Sequence, residues 1–340
     1  MKAAKYWEPF SGKKAEKNTI QCHVCPHNCI IPDKGRGICR VRQNIGGKLF
    51  SLVYGKPIST HIDPIEKKPL FHFMPGTDSF SLGTVGCNMR CAHCQNWEIS
   101  QAKPEDFPVP EILPDKIVEM ALEAKCPSIS YTYTEPSIFY EYVLDCAILA
   151  REDGLKNIMV TNGYVNKEPL FELYQYIDAA NVDLKGFDED FYVKQCGAKL
   201  KPILETLKNL KKTDTWIEIT NLIIPTKNDD MKKIKEMCEW IVSELRYDVP
   251  LHFSRFFPMY KNLDLPPTPE ETLLEARKIA FKAGLKYVYI GNLITEDGEN
   301  THCPKCKKLL VGRSGFGVIS NSIRDSKCIY CKQKISGFWS

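Results

Sequence analysis

The sequence predicts an α/β protein: a partial (βα)6 barrel of the TIM type, preceded by a Cys-rich segment and followed by a zinc ribbon. Three observations predict this. Short β-branched or aromatic runs alternate with longer amphipathic runs from Phe80 to Leu293. Polar residues recur where the short runs end. Cysteine, 15 of 340 residues, gathers into three tight groups, one before the alternating region, one just inside it and one behind it. The division that follows is residues 1–78 for the Cys-rich segment and connector, 79–295 for the core and 296–340 for the tail.

Composition removes several classes. At 43% hydrophobic and 26% charged residues the chain has enough apolar content to fold, which excludes a largely disordered protein. No apolar run approaches the ~18–20 residues of a membrane helix, and the start, Met1 to Phe10, shows no secretory signal. A net charge of +4 is too mild to mark a nucleic-acid partner, and no basic stripe with interleaved aromatics supports one. Arg313, Arg324 and the lysines of the tail read as a solvated face. No Walker loop, GxGxxG after a strand, HExxH or GxSxG occurs. An odd cysteine count in a long chain without a signal favours reduced, metal-binding thiolates over disulfides, and so a cytoplasmic setting.

In chain order, the first cysteine group is Cys22, Cys25, Cys29 and Cys39, with His23 and His27 interleaved. Four soft ligands so close together favour a closed site, zinc first and an iron–sulfur cluster second. The connector Tyr54–Pro75 holds His61, Asp63, Glu66, Lys67, Lys68 and His72 and reads as a packing segment or part of a lid. The expected strands are Phe80–Val85, Ser128–Thr134, Asn157–Thr161, Asn181–Lys185, Trp216–Ile224, Pro250–Phe256 and Tyr287–Asn292. The expected helices are Asp115–Ala124, Ser137–Glu152, Lys167–Tyr176, Pro202–Lys211, Asp229–Leu245 and Pro269–Ala283, the last opened by a capping box at Thr268 and closed by Gly284. Glu105 to Pro114 reads as a surface loop.

The second cysteine group, Cys87, Cys91 and Cys94, follows the first strand in a CxxxCxxC spacing. Three thiolates on a [4Fe–4S] cube leave one iron with a free position, where chemistry can occur. A Cys3His zinc site using His93 is the bland alternative. Polar groups follow the later strands: Tyr131 to Glu135, Thr161-Asn162-Gly163, Asp183 to Lys185, Glu218 to Asn221 and His252 to Arg255. In barrels of this kind the strand ends carry the active site. The four isolated cysteines, Cys126, Cys146, Cys196 and Cys238, read as core filler. The third group, Cys303, Cys306, Cys328 and Cys331, is two CxxC knuckles with 21 residues between them, a closed four-sulfur zinc site whose role is folding.

With those residues in view, the chain resembles the radical S-adenosylmethionine (SAM) superfamily. The likeness rests on the CxxxCxxC loop after the first strand and the βα repeats behind it, over roughly residues 80–293. More narrowly the chain is similar to glycyl-radical-enzyme activases of the pyruvate formate-lyase activating type. It looks closer still to the AmmeMemoRadiSam system radical SAM enzymes, through the segments 25–29, 63–70, 94–100 and 252–256 and the terminal CxxC pair. The resemblance implies a [4Fe–4S] cluster on Cys87, Cys91 and Cys94 whose fourth iron chelates the amino and carboxylate groups of SAM. It implies that Tyr133, Thr134 and Glu135 receive the SAM amino group, and that Thr161, Asn162, Asp183 and Lys185 belong to SAM-binding stretches. It also places Thr161 and Asp183 toward a monovalent cation, although Val160 removes one carboxylate from that site. Tyr133 and Thr134 replace two glycines of the family strip, and His93 stands where an aromatic or apolar residue precedes the third cysteine.

The implied reaction is reductive cleavage of SAM to methionine and a 5′-deoxyadenosyl radical, which takes hydrogen from a substrate. A low-potential electron donor is the implied partner. The substrate is not identified, a protein being one class it admits, and no side chain is assigned as catalytic. Two alternatives accompany this reading: activation of a glycyl radical enzyme, and a multi-zinc scaffold in which the barrel is inert.

Overall fold

The computed structural model describes residues 1–12 and 16–339. Eight strands form one sheet in chain order: Ser59–Pro64, Asp78–Gly83, Ser128–Tyr131, Lys156–Thr161, Ala179–Asp183, Trp216–Ile223, Leu251–Arg255 and Val288–Gly291. The first pair is antiparallel and every later pairing is parallel. The first and last strands are paired on one side only, so the barrel-like sheet stays open. The inner strands are buried on both faces, as helix-covered parallel strands must be, so that even polar residues such as Ser128, Ser130 and Asn181 lie inside.

The connecting helices lie where the 3.6-residue pattern puts them: Pro114–Glu123, Tyr140–Glu152, Lys167–Leu173, Leu200–Leu210, Met231–Trp240 and Glu270–Lys282. The fifth continues through a wider π turn, Ile241–Leu245, which keeps Ile241 and Leu245 buried beyond the regular helix. The capping box expected at Thr268 does not form. Pro269 is the cap residue, without a side-chain bond. The Thr268 hydroxyl turns inward instead, donating to the Ile223 carbonyl at 2.6 Å and accepting from the Phe256 amide at 2.9 Å. Two open strand ends satisfied by one buried hydroxyl outweigh a cap whose donors water can reach.

The Ser59–Pro64 strand was not expected. Its polar residues mask a strand that survives because it lies at the edge of the sheet. After it the connector runs across the strand-start end of the barrel. Phe71 and His72 donate their amides to the buried Glu218 carboxylate at 3.0 and 2.7 Å, and Asn181 Nδ2 donates to the Pro69 carbonyl at 2.8 Å. The connector is thus a floor and not a lid.

The tail builds small antiparallel sheets from Thr301–His302, Leu309–Ser314 and Gly317–Asn321, and from Ile323–Arg324 with Lys327–Cys328. It docks on the connector through Arg313, expected on the surface but buried, which donates to the Phe71 carbonyl at 2.7 Å and lies over the Phe71 ring. At the other end, the Cys-rich segment attaches to the Tyr140–Glu152 helix through a buried Arg42–Glu141 pair at 3.0 Å.

Candidate active site

A cavity of about 750 Å3 opens at the carboxyl ends of the strands, a size that takes a small-molecule ligand. Cys87, Cys91 and Cys94 all line it. Their loop is fixed from two sides. Arg90 and Ala92 donate their amides to the carbonyls of Cys196 and Gln195, each at 2.8 Å, and Gly86 donates to the Ile99 carbonyl at 2.9 Å. Donors already face the sulfurs: the Met89 amide is 3.4 Å from Cys87 Sγ, Asn162 Nδ2 is 3.8 Å from it, and Ser100 Oγ is 3.2 Å from Cys94 Sγ. Burial pushes the Cys87 and Cys94 thiols above their ordinary pKa, so thiolates here need a cation. A hydrogen-bonded trio of sulfurs open to one cavity fits an iron–sulfur cluster held by three ligands.

Cys196 is more than filler. Its sulfur, that of Cys91 and a His93 nitrogen lie within 4.8 Å of one another. A hydrogen bond from Cys196 is the largest cause lowering the Cys91 thiol, and Cys196 itself is raised by the same contact. His93 is buried with neither ring nitrogen bonded, and its ring lies near-parallel to Phe191. Burial, then the charge of Lys185, lowers its pKa to about 3, so the imidazole is neutral.

The strand ends supply the rest of the wall, with Thr132, Tyr133, Thr134, Thr161, Asn162 and Asp183 facing the cavity. Glu135 does not. Its carboxylate accepts from the Ser137 amide at 3.0 Å, from Thr161 Oγ1 at 2.8 Å and from the Asn162 amide at 2.8 Å. It caps the turn that follows it and locks the Thr161–Asn162 corner from behind. Tyr133 has a left-handed backbone (φ 69°), a conformation that favours glycine. That conformation costs about 1–2 kcal/mol in a non-glycine residue. The side chain offsets it: Tyr133 Oη donates to Asp63 at 2.5 Å, and its carbonyl accepts from Asn96 at 2.8 Å.

Asp183 is bonded by Lys185 Nζ at 2.6 Å, and Thr161 by Glu135, so the two residues expected at a monovalent cation each already have a partner within the chain. Although burial disfavours its charge, Asp183, Cys91 and Cys196 hold Lys185 well above the usual lysine range. A fixed ammonium therefore stands beside the Cys91 sulfur.

The cavity floor comes from the connector. Lys68 is buried, bonded to Asp63 at 2.5 Å, and Lys67 shares that carboxylate at 2.7 Å. Burial lowers Lys68 to about 8, against the pull of Asp63. Asp63 itself is held far below the usual carboxylate range, because Lys67, Lys68 and Tyr133 together overcome its burial. Glu66, Lys67 and Lys68 line the floor, His252 a wall, and the tail hairpin reaches the rim with Gly315 and Phe316. The sequence marks these residues as a packing segment or part of a lid, but not as a cavity floor. The floor forms because Ser59–Pro64 pairs with the core sheet.

In the tail, Cys303, Cys306, Cys328 and Cys331 bring their sulfurs within 4.8 Å of one another, with Cys303–Cys331 at 3.5 Å and Cys306–Cys328 at 3.8 Å. Zinc–sulfur bonds of ~2.3 Å give a tetrahedral edge of about 3.8 Å, so the four sulfurs fit zinc. Lys307 and Lys332, each just after a knuckle, share φ values near 60° (62° and 60°) and donate their amides back to Cys303 and Cys328, each at 2.9 Å.

The sequence pattern of the radical SAM superfamily matches residues 81–241. The chain is 49% identical to an uncharacterized protein of Methanocaldococcus jannaschii over 337 residues, 98% of this chain and 99% of that one. It is 26% identical over 239 residues to a putative glycyl-radical enzyme activating enzyme of the same organism, covering 69% of this chain and 87% of that one. It is also 26% identical over 219 residues to the pyruvate formate-lyase-activating enzyme of Staphylococcus epidermidis, covering 58% of this chain and 86% of that one.

Proposed function

The chain belongs to the radical SAM superfamily, and from that premise we propose that Cys87, Cys91 and Cys94 hold its [4Fe–4S] cluster at the carboxyl end of the barrel. The chain is a radical SAM enzyme whose substrate is unknown. When bound, the cluster supplies the electron that cleaves SAM to methionine and a 5′-deoxyadenosyl radical. The chain's own residues bind and shield. Glu135 holds Thr161 and Asn162 in place, and Asn162 reaches Cys87. Thr134 and the Tyr133 backbone shape the wall that meets the SAM amino end. Asp183 and Lys185 present a paired charge to the opposite side, and the connector floor closes off water.

The observation that carries the reading is the convergence on one cavity of three cysteines and residues in or just after six successive parallel strands. Its test is deoxyadenosine formation from SAM and dithionite under anaerobic conditions. The wild type is expected to produce it, and Cys91→Ala to produce none. An equal yield from both would end this assignment.

We propose further assignments for the tail, the domain boundaries, the compartment and the electron donor. Cys303, Cys306, Cys328 and Cys331 bind a structural zinc in a ribbon. The chain divides at residues 78–79 and 295–296, works in the cytoplasm and takes electrons from a low-potential donor. Among the described residues no helix is long and apolar enough to cross a membrane. A second reading, favoured by the names of the two 26%-identical relatives, is activation of a partner enzyme through a glycine. It predicts a glycyl radical signal in a partner mixed with the reduced enzyme and SAM. Absence of that signal from every co-encoded partner would remove it.

A further inference from the structure

We infer that Cys22, Cys25, Cys29 and Cys39 hold a second iron–sulfur cluster, set directly behind the CxxxCxxC loop, which passes single electrons to the cluster on that loop. The second half of this inference rests on the radical SAM reading, and the first half does not.

The four thiols share one enclosure. Cys22 and Cys39 are buried, and Cys25 lies within the field of the other three. Gly37 sits between two of them: a Cβ there would stand 3.7 Å from the sulfurs of both Cys29 and Cys39. The Ile38 amide points at Cys29 Sγ from 3.5 Å, the kind of donor that a metal-bound thiolate accepts.

Spread separates this group from the zinc-like one. Among the described residues, the four tail cysteines fall within 4.8 Å of one another, as one small ion requires, but Cys22, Cys25, Cys29 and Cys39 form no such group. The trio Cys87, Cys91 and Cys94 forms none either. A cube gives each thiolate its own iron, so its sulfurs stand farther apart than those around one zinc. The N-terminal four thus share with the loop trio sulfurs set too widely for one zinc ion, which reverses the order that spacing alone favours.

Position gives the role. Three contacts join residues flanking the N-terminal cysteines to residues flanking the loop cysteines. The Cys39 carbonyl stands 2.7 Å from where a Cβ of Gly86 would lie, an approach that only glycine permits next to Cys87. The His27 Nε2 donates to the Asn88 carbonyl at 2.7 Å. Arg90 donates to the Ile38 carbonyl at 3.0 Å. Each of the two hydrogen bonds gives a through-bond route from the N-terminal thiolates to the loop that crosses a single hydrogen bond. Ile38, beside Cys39, is 39% exposed, so this group lies near the surface that a donor can reach. The transfer balances as one electron lost by a flavin or iron–sulfur donor, carried by the second cluster and gained by the first, with no proton moved and no bond made. Zinc has no redox chemistry and cannot serve here.

The experiment uses full-length protein reconstituted anaerobically with iron and sulfide. The Cys87→Ala/Cys91→Ala/Cys94→Ala variant is expected to keep about four irons and four sulfides per chain, and a reduced-cluster resonance that SAM does not alter. The Cys25→Ser/Cys29→Ser variant is expected to hold about half the wild-type iron. In that variant the ratio of flavodoxin-driven to dithionite-driven deoxyadenosine formation should fall roughly ten-fold or more. Zinc without iron in the triple variant, or an unchanged ratio in the double variant, would overturn the inference. If the wild type forms no deoxyadenosine at all, the family reading is at fault, and the iron content of the triple variant still decides whether the second cluster exists.

Discussion

The Cys196 thiol lies within 4.8 Å of the sulfur of Cys91, one of the three cysteines proposed to hold the cluster, and lowers the Cys91 thiol; a thiol donor to a cluster sulfur stabilises the reduced state by spreading its added charge. A hydrogen bond of net ~0.5–1.5 kcal/mol corresponds to roughly 20–60 mV for a one-electron couple, which bounds the effect. Cys196→Ala is therefore expected to lower the cluster's reduction potential by up to that amount, with iron content unchanged, in a potentiometric titration. An unchanged potential would return Cys196 to core filler. Glu135 works one layer further back, gripping Thr161 and Asn162 without facing the cavity. Glu135→Ala should raise the KM for SAM roughly ten-fold while changing kcat less, because the corner it holds positions the ligand. A loss confined to kcat would contradict that positioning role. Both residues show where residue-level reading stops. The CxxxCxxC spacing is a local signal and was legible, whereas Cys196 meets Cys91 only through the fold. Glu135 was visible as polar, but its partners 26 and 27 residues away were not.

At the scale of elements, the strands and helices of the core follow the alternation of short β-branched or aromatic runs with longer amphipathic runs, although buried Ser128, Ser130, Asn157 and Asn181 interrupt the apolar runs of the strands. Where the sequence misleads, a long-range contact has won. Thr268 has the right neighbours for a capping box and instead ties the ends of the Trp216–Ile223 and Leu251–Arg255 strands together. Thr268→Val, equal in volume, leaves a carbonyl and an amide buried without partners. The expected loss is roughly 1–3 kcal/mol in anaerobic denaturant unfolding. A loss within ~0.5 kcal/mol would show that water or a shifted strand end replaces the hydroxyl. The Ser59–Pro64 strand escaped notice for a related reason: an edge strand tolerates His61 and Asp63, so its composition reads as a linker.

At the scale of the whole molecule, one chain of hydrogen bonds joins tail, barrel and connector. Arg313 donates to Thr301, Thr301 bonds Tyr289, Tyr289 bonds His72, and His72 donates to the Ser336 carbonyl. That carbonyl can only accept, so the His72 proton sits on Nδ1 and Nε2 accepts from Tyr289. No local pattern announces such a network, since His72 and Tyr289 are 217 residues apart, and Arg313 and Phe71 are 242 apart. Burial lowers His72 from 6.5 to about 4. The unfolded chain then takes up a proton before the folded one does, so stability rises with pH between these values and is lost as pH falls from 6.5 towards 4. Between pH 6.5 and about 5 the loss from this residue is about 2 kcal/mol. His93 and His27 shift the same way, so the readout is a difference: His72→Gln should be less stable at neutral pH and show a flatter slope than the wild type in this window. Parallel slopes would place the acid sensitivity elsewhere.

The proposed chemistry needs an iron in the barrel mouth with a position open to SAM. The direct measurement is electron paramagnetic resonance of the anaerobically reduced protein before and after SAM is added. The expected result is a SAM-dependent change in part of the spectrum, present in the wild type and absent from Cys91→Ala. A spectrum that SAM leaves untouched in the wild type would contradict it.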